Sequence, residues 1–393
     1  MTWPPGVPSG WSVLAPDPQR PLTVLLDGDP TAPQQARLGA ALAARGHTVV
    51  VLDAPQIAAQ IRDEFGQQCK QLWGLPRWTG PLRRAHIHRA ARQLQIDIVH
   101  LNFIKPHQRH WADPDDGPPY IATAWGSDLN RKVFQHSADH EAAIDLILRR
   151  AKAITADAWP LLRNAATRSG SGGPACHLVL WSADLGTFDR SLHSAATQQL
   201  RVEMGIAADR KILLSPRQPQ PHYHIERIIH GFAHSRWAQS GVLVLKLHGK
   251  GGEDGYLQAL LAQATAAGVR DRVVLAPRVP YEKLPALYAM ADTAVSMPEA
   301  DGVPSTFLEL MALQVPIIAS DLPGYEGVLT GDRALLVPPA NPAALIVALN
   351  DVLDRPADTQ ARVTAAAQWA RGNADWSKSV DQWIALYRQA VAG

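Results

Sequence analysis

The sequence predicts an α/β protein of two domains, each built on a parallel β-sheet flanked by helices. Three observations carry that expectation. The chain has 393 residues, too many for one ordinary core and suited to two of similar size. Hydrophobic residues make up 46% and charged residues 19%, enough apolar material for large cores and too much for a disordered chain. Short β-branched runs alternate with helical stretches throughout, the rhythm of parallel strands joined by covering helices.

Residues 1–20, rich in Pro and Gly, read as a loose leader, with no basic start and apolar run to mark a signal peptide. In the first domain, read as 21–188, strand-like runs fall at 22–26 (LTVLL), 48–52 (TVVVL), 97–103 (DIVHLNF), 120–124 (YIATA) and 152–156 (KAITA). Residues 34–45 read as a helix closed by Gly46. Residues 164–176, small, polar and Gly-rich, read as a surface loop, and 178–188 as the way out of the domain. The second domain, read as 189–372, restarts the rhythm with strands at 211–216, 242–247, 272–276, 292–296, 315–319 and 334–337. Its clearest helices are 255–267, 282–291, 304–313 and 342–354. Tandem sheets of this kind bind ligands at the carboxyl ends of their strands. The closing helix, about 375–391, carries Trp376, Val380, Trp383, Ile384 and Tyr387 as one apolar stripe. Pattern alone leaves open whether that stripe covers its own domain or crosses to the first.

Composition excludes several classes. A formal charge of +2 with no Lys/Arg-dominated domain argues against a nucleic-acid partner. Cys69 and Cys176 are far apart and belong to no ligand cluster, which suits a reduced, cytoplasmic protein. No apolar run approaches the ~20 residues that span a bilayer.

The most informative stretch is 292–325, DTAVSMPEADGVPSTFLELMALQVPIIASDLPGY. A buried strand ends, an acidic loop (Glu299-Ala300-Asp301-Gly302) follows, and a helix is expected to start near Pro304-Ser305-Thr306. A helix start presents orphan N–H groups and a positive dipole end, a prepared anion site. Glu309, one turn on, is placed to accept hydrogen bonds from a diol such as ribose. Amides for phosphates, one acid for ribose and Asp301 for another hydroxylated group together read as a nucleoside diphosphate site. Spacing alone leaves an ordinary capped surface loop as the alternative.

Asp301-Gly302, Glu309, Met311-Ala312 and Pro316-Ile317-Ile318-Ala319-Ser320 resemble the signature of the retaining glycosyltransferases of family 4. The resemblance implies the GT-B fold: two Rossmann-like domains facing across a cleft, with a C-terminal helix (373–393) crossing back to the first. It implies a nucleoside diphosphate sugar of UDP or GDP type as co-substrate, no other cofactor, no metal and a hydroxyl acceptor. Glu309 would hold the ribose and Asp301 a hydroxyl of the transferred sugar. Gly302, Val303, Pro304, Ser305 and Thr306 would cradle the diphosphate. Arg217 stands where the family has a diphosphate-neutralising Arg, while the neighbourhood of His222 and Tyr223 takes the place of a family Lys. Lys250 is then either a replacement charge or a solvated loop lysine. Arg278 lies on the loop that borders the nucleobase in similar proteins.

The first half is similar less sharply. His100 fills a strand-end place facing the cleft, and TAWGSDL puts Trp125, Ser127 and Asp128 at the next strand end, with Asp128 able to orient a hydroxyl. Gly28 sits between two aspartates that would repel phosphate, so its loop is expected to meet the acceptor. Asp184 and Phe188 match the family's link between domains. The stretch 70–93 concentrates arginines, with Arg84, His88 and Arg92 at i, i+4, i+8. It reads either as a solvated basic helix or, through 77–92, as a peripheral contact with the inner membrane face. Two rivals to transfer remain at this level: a nucleotide-sugar epimerase on the same fold, and a non-catalytic binding protein. The sequence does not choose the base, the sugar or the acceptor.

Overall fold

The computed structural model describes residues 20–29, 32–52, 72–74, 83–112, 117–129, 136–247 and 255–392. They fall into two compact units. One holds the described residues up to Trp181 together with those from Ser377 onward, and the other holds Ser182–Trp376.

The first unit is built on seven strands: β1 (Thr23–Asp27), β2 (Thr48–Val51), β3 (Leu72–Gly74), β4 (Ile98–Asn102), β5 (Tyr120–Ala124), β6 (Ala153–Ala156) and β7 (Ala175–Leu178). All pair in parallel, in the order β3-β2-β1-β4-β5-β6-β7. Strands covered on both faces need unbroken apolar runs, and β4 and β5 are buried along their whole length. The second unit repeats this order with β8 (Lys211–Ser215), β9 (Gly241–Lys246), β10 (Val273–Ala276), β11 (Thr293–Ser296), β12 (Ile317–Ser320) and β13 (Leu335–Val337), arranged β10-β9-β8-β11-β12-β13. In each sheet the chain winds outward from the central strand, then returns to its other side. That reversal opens a crevice at the carboxyl ends of β1 and β4 in one unit and of β8 and β11 in the other.

Local sequence explains the ends of elements. The Pro33–Ala44 helix stops because Gly46 adopts φ +84°, a left-handed value that frees the chain to turn into β2. The closing helix, Trp376–Ala392, buries Val380, Trp383, Ile384 and Tyr387. Its contacts lie in the first unit: Trp383 packs 4.6 Å from the Trp181 ring, and Asp381 pairs with Arg45 at 3.0 Å.

Three features differ from the sequence reading. Residues 164–169 are helical, the end of Trp159–Ser169, because Ala165 continues the buried face. Only the stretch from Gly170 (φ +82°) to β7 is loop. The chain passes between units at 181/182, not 188/189. Residues 182–188 are tied into the second unit by the Ala183–Asp375 bridge and the Phe188–Tyr281 ring contact at 5.9 Å. Strands β3 and β7 are additions, short and without the β-branched run that marks the others.

Candidate functional site

At the reversal of the second sheet, β8 ends at Ser215 and β11 at Ser296, and their following loops carry Arg217 and Asp301. Neighbouring strand ends bring together residues 84 positions apart: Arg217 Nη2 lies 3.0 Å from Asp301 Oδ2, with side-chain exposures of 12% and 17%. The guanidinium also covers the Tyr223 ring, 4.1 Å from its centroid. Burial opposes the Arg217 charge, but Asp301, Tyr223 and Tyr325 outweigh it and hold the group above its usual range. Burial pushes the Asp301 carboxyl up, and the Arg217 charge and the Gly302 amide recover only part of that.

Beside this pair starts the Ser305–Ala312 helix. Pro304 is its extended cap residue (ψ 136°), one place outside the helix, and no side chain caps the first turn. Phe307 N–H returns to Pro304 O at 2.9 Å, while the amides of Ser305 and Thr306 head the helix with its positive dipole end. Gly302 and Val303 are buried, and Pro304, Ser305 and Thr306 are half-buried. Glu309 is 3% exposed on the same helix. Arg278 is exposed beyond β10, the edge strand, two strands from the reversal. Lys250 lies outside the described residues.

Several groups here escaped the sequence reading. Tyr325, beyond β12, is buried against Phe307 (rings 5.2 Å apart), and its hydroxyl has no hydrogen-bond partner among the described residues. Burial, with Asp301 adding to it, lifts that hydroxyl well above its usual range. The preceding Gly324 lies so close to the acidic loop that an added Cβ would stand 1.9 Å from the Asp301 carbonyl oxygen. Ser215, Ser296 and Ser320, last residues of three adjacent strands, bury hydroxyls that also lack hydrogen-bond partners among the described residues. Glu299 turns outward and pairs with Arg227 at 2.5 Å.

The reversal of the first sheet is organised differently. His100 is fully buried, and both its ring nitrogens are occupied: Nδ1 by Tyr387 Oη at 2.7 Å and Nε2 by Thr123 Oγ1 at 2.5 Å. Burial drives its pKa down to about 3, so it is a neutral pin between β4, β5 and the closing helix. Its expected place facing a cleft is thus corrected. The Asp128 carboxylate, 3% exposed, accepts from the amides of Ile104 (3.0 Å), Trp125 (3.1 Å) and Gly126 (2.9 Å). It fastens two loops together. Gly28 is demanded by the chain itself, since a Cβ would meet Gln35 Oε1 at 2.1 Å and Asn102 O at 2.6 Å. The side-chain amides of Gln35 and Asn102, 1% and 0% exposed, find no hydrogen-bond partner among the described residues. Trp125 and Ser127 are half-buried, the former edge-on to Trp181 at 5.4 Å. On the Arg83–Gln93 helix, Arg84 and Arg92 are exposed but His88 is buried and bonded to His110 at 3.0 Å, so that stripe is not one continuous basic surface. Arg77 and Trp78 lie outside the described residues. No helix among the described residues is long and apolar enough to cross a membrane.

Comparison with known proteins decides the family. Residues 196–369 match the family described as glycosyl transferases group 1, and residues 34–158 match one described as glycosyl transferase 4-like. The chain is a glycosyltransferase, its two halves matching the group 1 and 4-like models in turn. Its fold is GT-B: an Anabaena protein, HepE, solved in complex with UDP-glucose, superposes with a TM-score of 0.77 at 17% identity, covering 92% of this glycosyltransferase and 98% of that chain. A D-inositol 3-phosphate glycosyltransferase of Xylanimonas cellulosilytica is 27% identical, over 80% of this chain and 76% of its own. A GDP-mannose-dependent α-(1-6)-phosphatidylinositol monomannoside mannosyltransferase of Mycolicibacterium smegmatis is 33% identical over 31% of this chain. The match spans about a third (34%) of that relative's own length.

Proposed function

We propose that this glycosyltransferase moves a sugar from a nucleoside diphosphate sugar to a hydroxyl acceptor, with retention at the anomeric carbon. The observation that carries the reading is the Arg217–Asp301 pair, held beside an uncapped helix start at the reversal of the second sheet. A buried cation with an adjacent row of amides suits a diphosphate, and the acid at the same point suits a sugar hydroxyl. In the free protein the two side chains neutralise each other. A bound diphosphate takes over Arg217 and leaves Asp301 to the sugar.

The chemistry then follows from charge. The bond between the anomeric carbon and the phosphate oxygen breaks, and negative charge grows on the departing diphosphate. Arg217 and the amides of Ser305 and Thr306 receive it, and one prepared donor of this kind is worth about 2.7–4 kcal/mol. The acceptor oxygen bonds to the anomeric carbon on the face the leaving group departs from. Its proton passes to the departing phosphate oxygen, so no protein nucleophile is required. Glu309 accepts from the ribose diol once the site opens around it. Because a guanidinium and a helix end meet the diphosphate charge, transfer proceeds without a metal ion. The relatives' names and the neighbour's ligand point to UDP- or GDP-type donors.

The test is an assay with UDP-glucose and GDP-mannose against polyol and inositol phosphate acceptors, in chelator, with the product's anomeric configuration read by NMR. The proposal predicts a new glycoside that keeps the donor's configuration. An epimerised sugar formed without acceptor, a chelator-abolished activity restored by a divalent ion, or no turnover of either donor would each contradict it.

A further inference from the structure

A pocket opens at the amino ends of β12 and β13, the opposite end of the second sheet from the Arg217–Asp301 pair. Parallel pairing sets those two strand starts side by side, with Ile318 opposite Leu335. Ile317 and Leu335, the first residues of the two strands, form its floor with Val352 from the Pro342–Asp354 helix. Arg333 lines it from the loop before β13, and Thr359 and Arg362 from the Pro356–Asn373 helix. Its volume is about 200 Å³, mouth included. The length of β12, about 10 Å, separates it from Ser320 and the carboxyl-end crevice.

The polar groups of this pocket are not satisfied from within. Arg362 Nε donates to Gly331 O at 3.2 Å, but its Nη1 is buried with no hydrogen-bond partner among the described residues, and so is Thr359 Oγ1. Arg333 Nη1 donates to Gly327 O (2.9 Å) and Val328 O (2.8 Å), and its guanidinium lies 5.2 Å from the centroid of the Trp369 ring. Those contacts hold the cation in place without neutralising it. The nearby carboxylates add little. Asp332 is 3.8 Å from Arg333 Nε and 67% exposed, Asp351 is taken by Arg355 at 3.0 Å, and Asp358, beside Thr359, is exposed. Burial holds the Arg333 guanidinium below its usual range, and Asp332 recovers only part of that. Water can meet a stray N–H or hydroxyl, but it does not balance two guanidinium charges set over an apolar floor.

We infer that this pocket is an anion site, separate from the donor site, that takes a phosphate group, either free or carried as an ester on a small molecule. Arginine forks match pairs of phosphate oxygens, and the Thr359 hydroxyl supplies a further donor. The Pro356–Asn373 helix starts within one turn of Thr359 and has no side-chain cap, so its positive dipole end favours the same charge. The inference stands on these residues alone and does not depend on the identity of the donor.

The test is calorimetric titration of the Arg217→Ala variant, whose donor site lacks its cation, in buffer free of phosphate and sulfate. Inorganic phosphate and glucose 1-phosphate are the two probes, and a single anion should bind per chain. Adding Arg362→Met should weaken binding about tenfold or more, and adding Thr359→Val about threefold, as a charged and a neutral donor are lost. Tighter binding of the ester assigns the pocket to a phosphate ester, and equal or weaker binding to free phosphate; either result supports the inference. Wild-type crystals soaked in tungstate, a heavy analogue of phosphate, should show anomalous density within about 3.2 Å of Arg362 Nη1 and Thr359 Oγ1. Water alone at that place, no binding of either probe, or an Arg362→Met variant that binds as tightly as its parent overturns the inference and leaves the donor site standing.

Discussion

The two sheets have the same strand order and the same reversal, yet their crevices differ in electrical character. At the ends of β8, β11 and β12 lie a cation, an acid, a helix start without a side-chain cap and four hydroxyls without hydrogen-bond partners among the described residues. In the first sheet three ionisable groups near the strand ends are engaged within the protein: His100 is pinned from both sides, Asp128, beyond β5, is filled by backbone amides, and Asp27 accepts from Trp111 Nε1 at 2.8 Å. The side-chain amides of Gln35 and Asn102 find no hydrogen-bond partner among the described residues, and the charges nearby are Asp29, exposed after β1, and Lys105, half-buried over the Phe103 ring after β4. Topology supplies two equivalent crevices, and side-chain chemistry sets them apart: the proposed function puts the diphosphate at the one with the Arg217–Asp301 pair.

The largest expected effect breaks the charged side. Arg217→Ala should lower kcat/KM for transfer about 100- to 1000-fold, the loss of one prepared donor to the leaving group. An effect under threefold would remove the diphosphate from this site. Gly324→Ala comes next. Its Cβ would displace the Asp301 carbonyl, so sugar-nucleotide affinity should fall at least tenfold and the melting temperature should fall with it, because a backbone atom must shift, as titration and melting can show.

On the neutral side the effects move from activity to stability. His100→Phe should cost about 1–3 kcal/mol in denaturant unfolding, because the Tyr387 and Thr123 hydroxyls lose their partner, while kcat changes less than fivefold. The pH dependence has a definite sign. The folded imidazole titrates at about 3 against 6.5 when free, so the unfolded chain binds the proton that the folded one refuses. That contribution is intact above pH 6.5 and is lost as pH falls toward 3, at about 1.4 kcal/mol per pH unit. The smallest change sharpens the contrast. Asn102→Leu removes unpaired amide atoms and should leave unfolding stability equal or raise it by about 1 kcal/mol, yet raise KM for the acceptor and not for the donor.

Much of this was legible in the residues. All six strands of the second sheet, and five of the seven in the first, follow from β-branched runs, because parallel strands buried on both faces demand them. The approach of Arg217 to Asp301 follows from strand order once both are seen at strand ends. The spacing of Trp383, Ile384 and Tyr387 marks a buried stripe but carries no address, and only the contacts with Trp181 and His100 supply one. His100 and Asp128 show the opposite limit. A His or an Asp at a strand end looks the same in sequence whether it faces a ligand or its own backbone. Tyr325, Ser215 and Ser296 gave no signal, and Ser320 only as the end of the signature strand, since a lone hydroxyl gains meaning only when its surroundings fail to satisfy it.

The most direct test is a crystal structure of this protein with bound UDP-glucose or GDP-mannose. Diphosphate oxygens should lie within about 3.2 Å of the Arg217 guanidinium and the Ser305 and Thr306 amides, with Arg217 drawn off Asp301. A diphosphate seated elsewhere, or an Arg217–Asp301 pair unchanged beneath a bound ligand, would contradict the account.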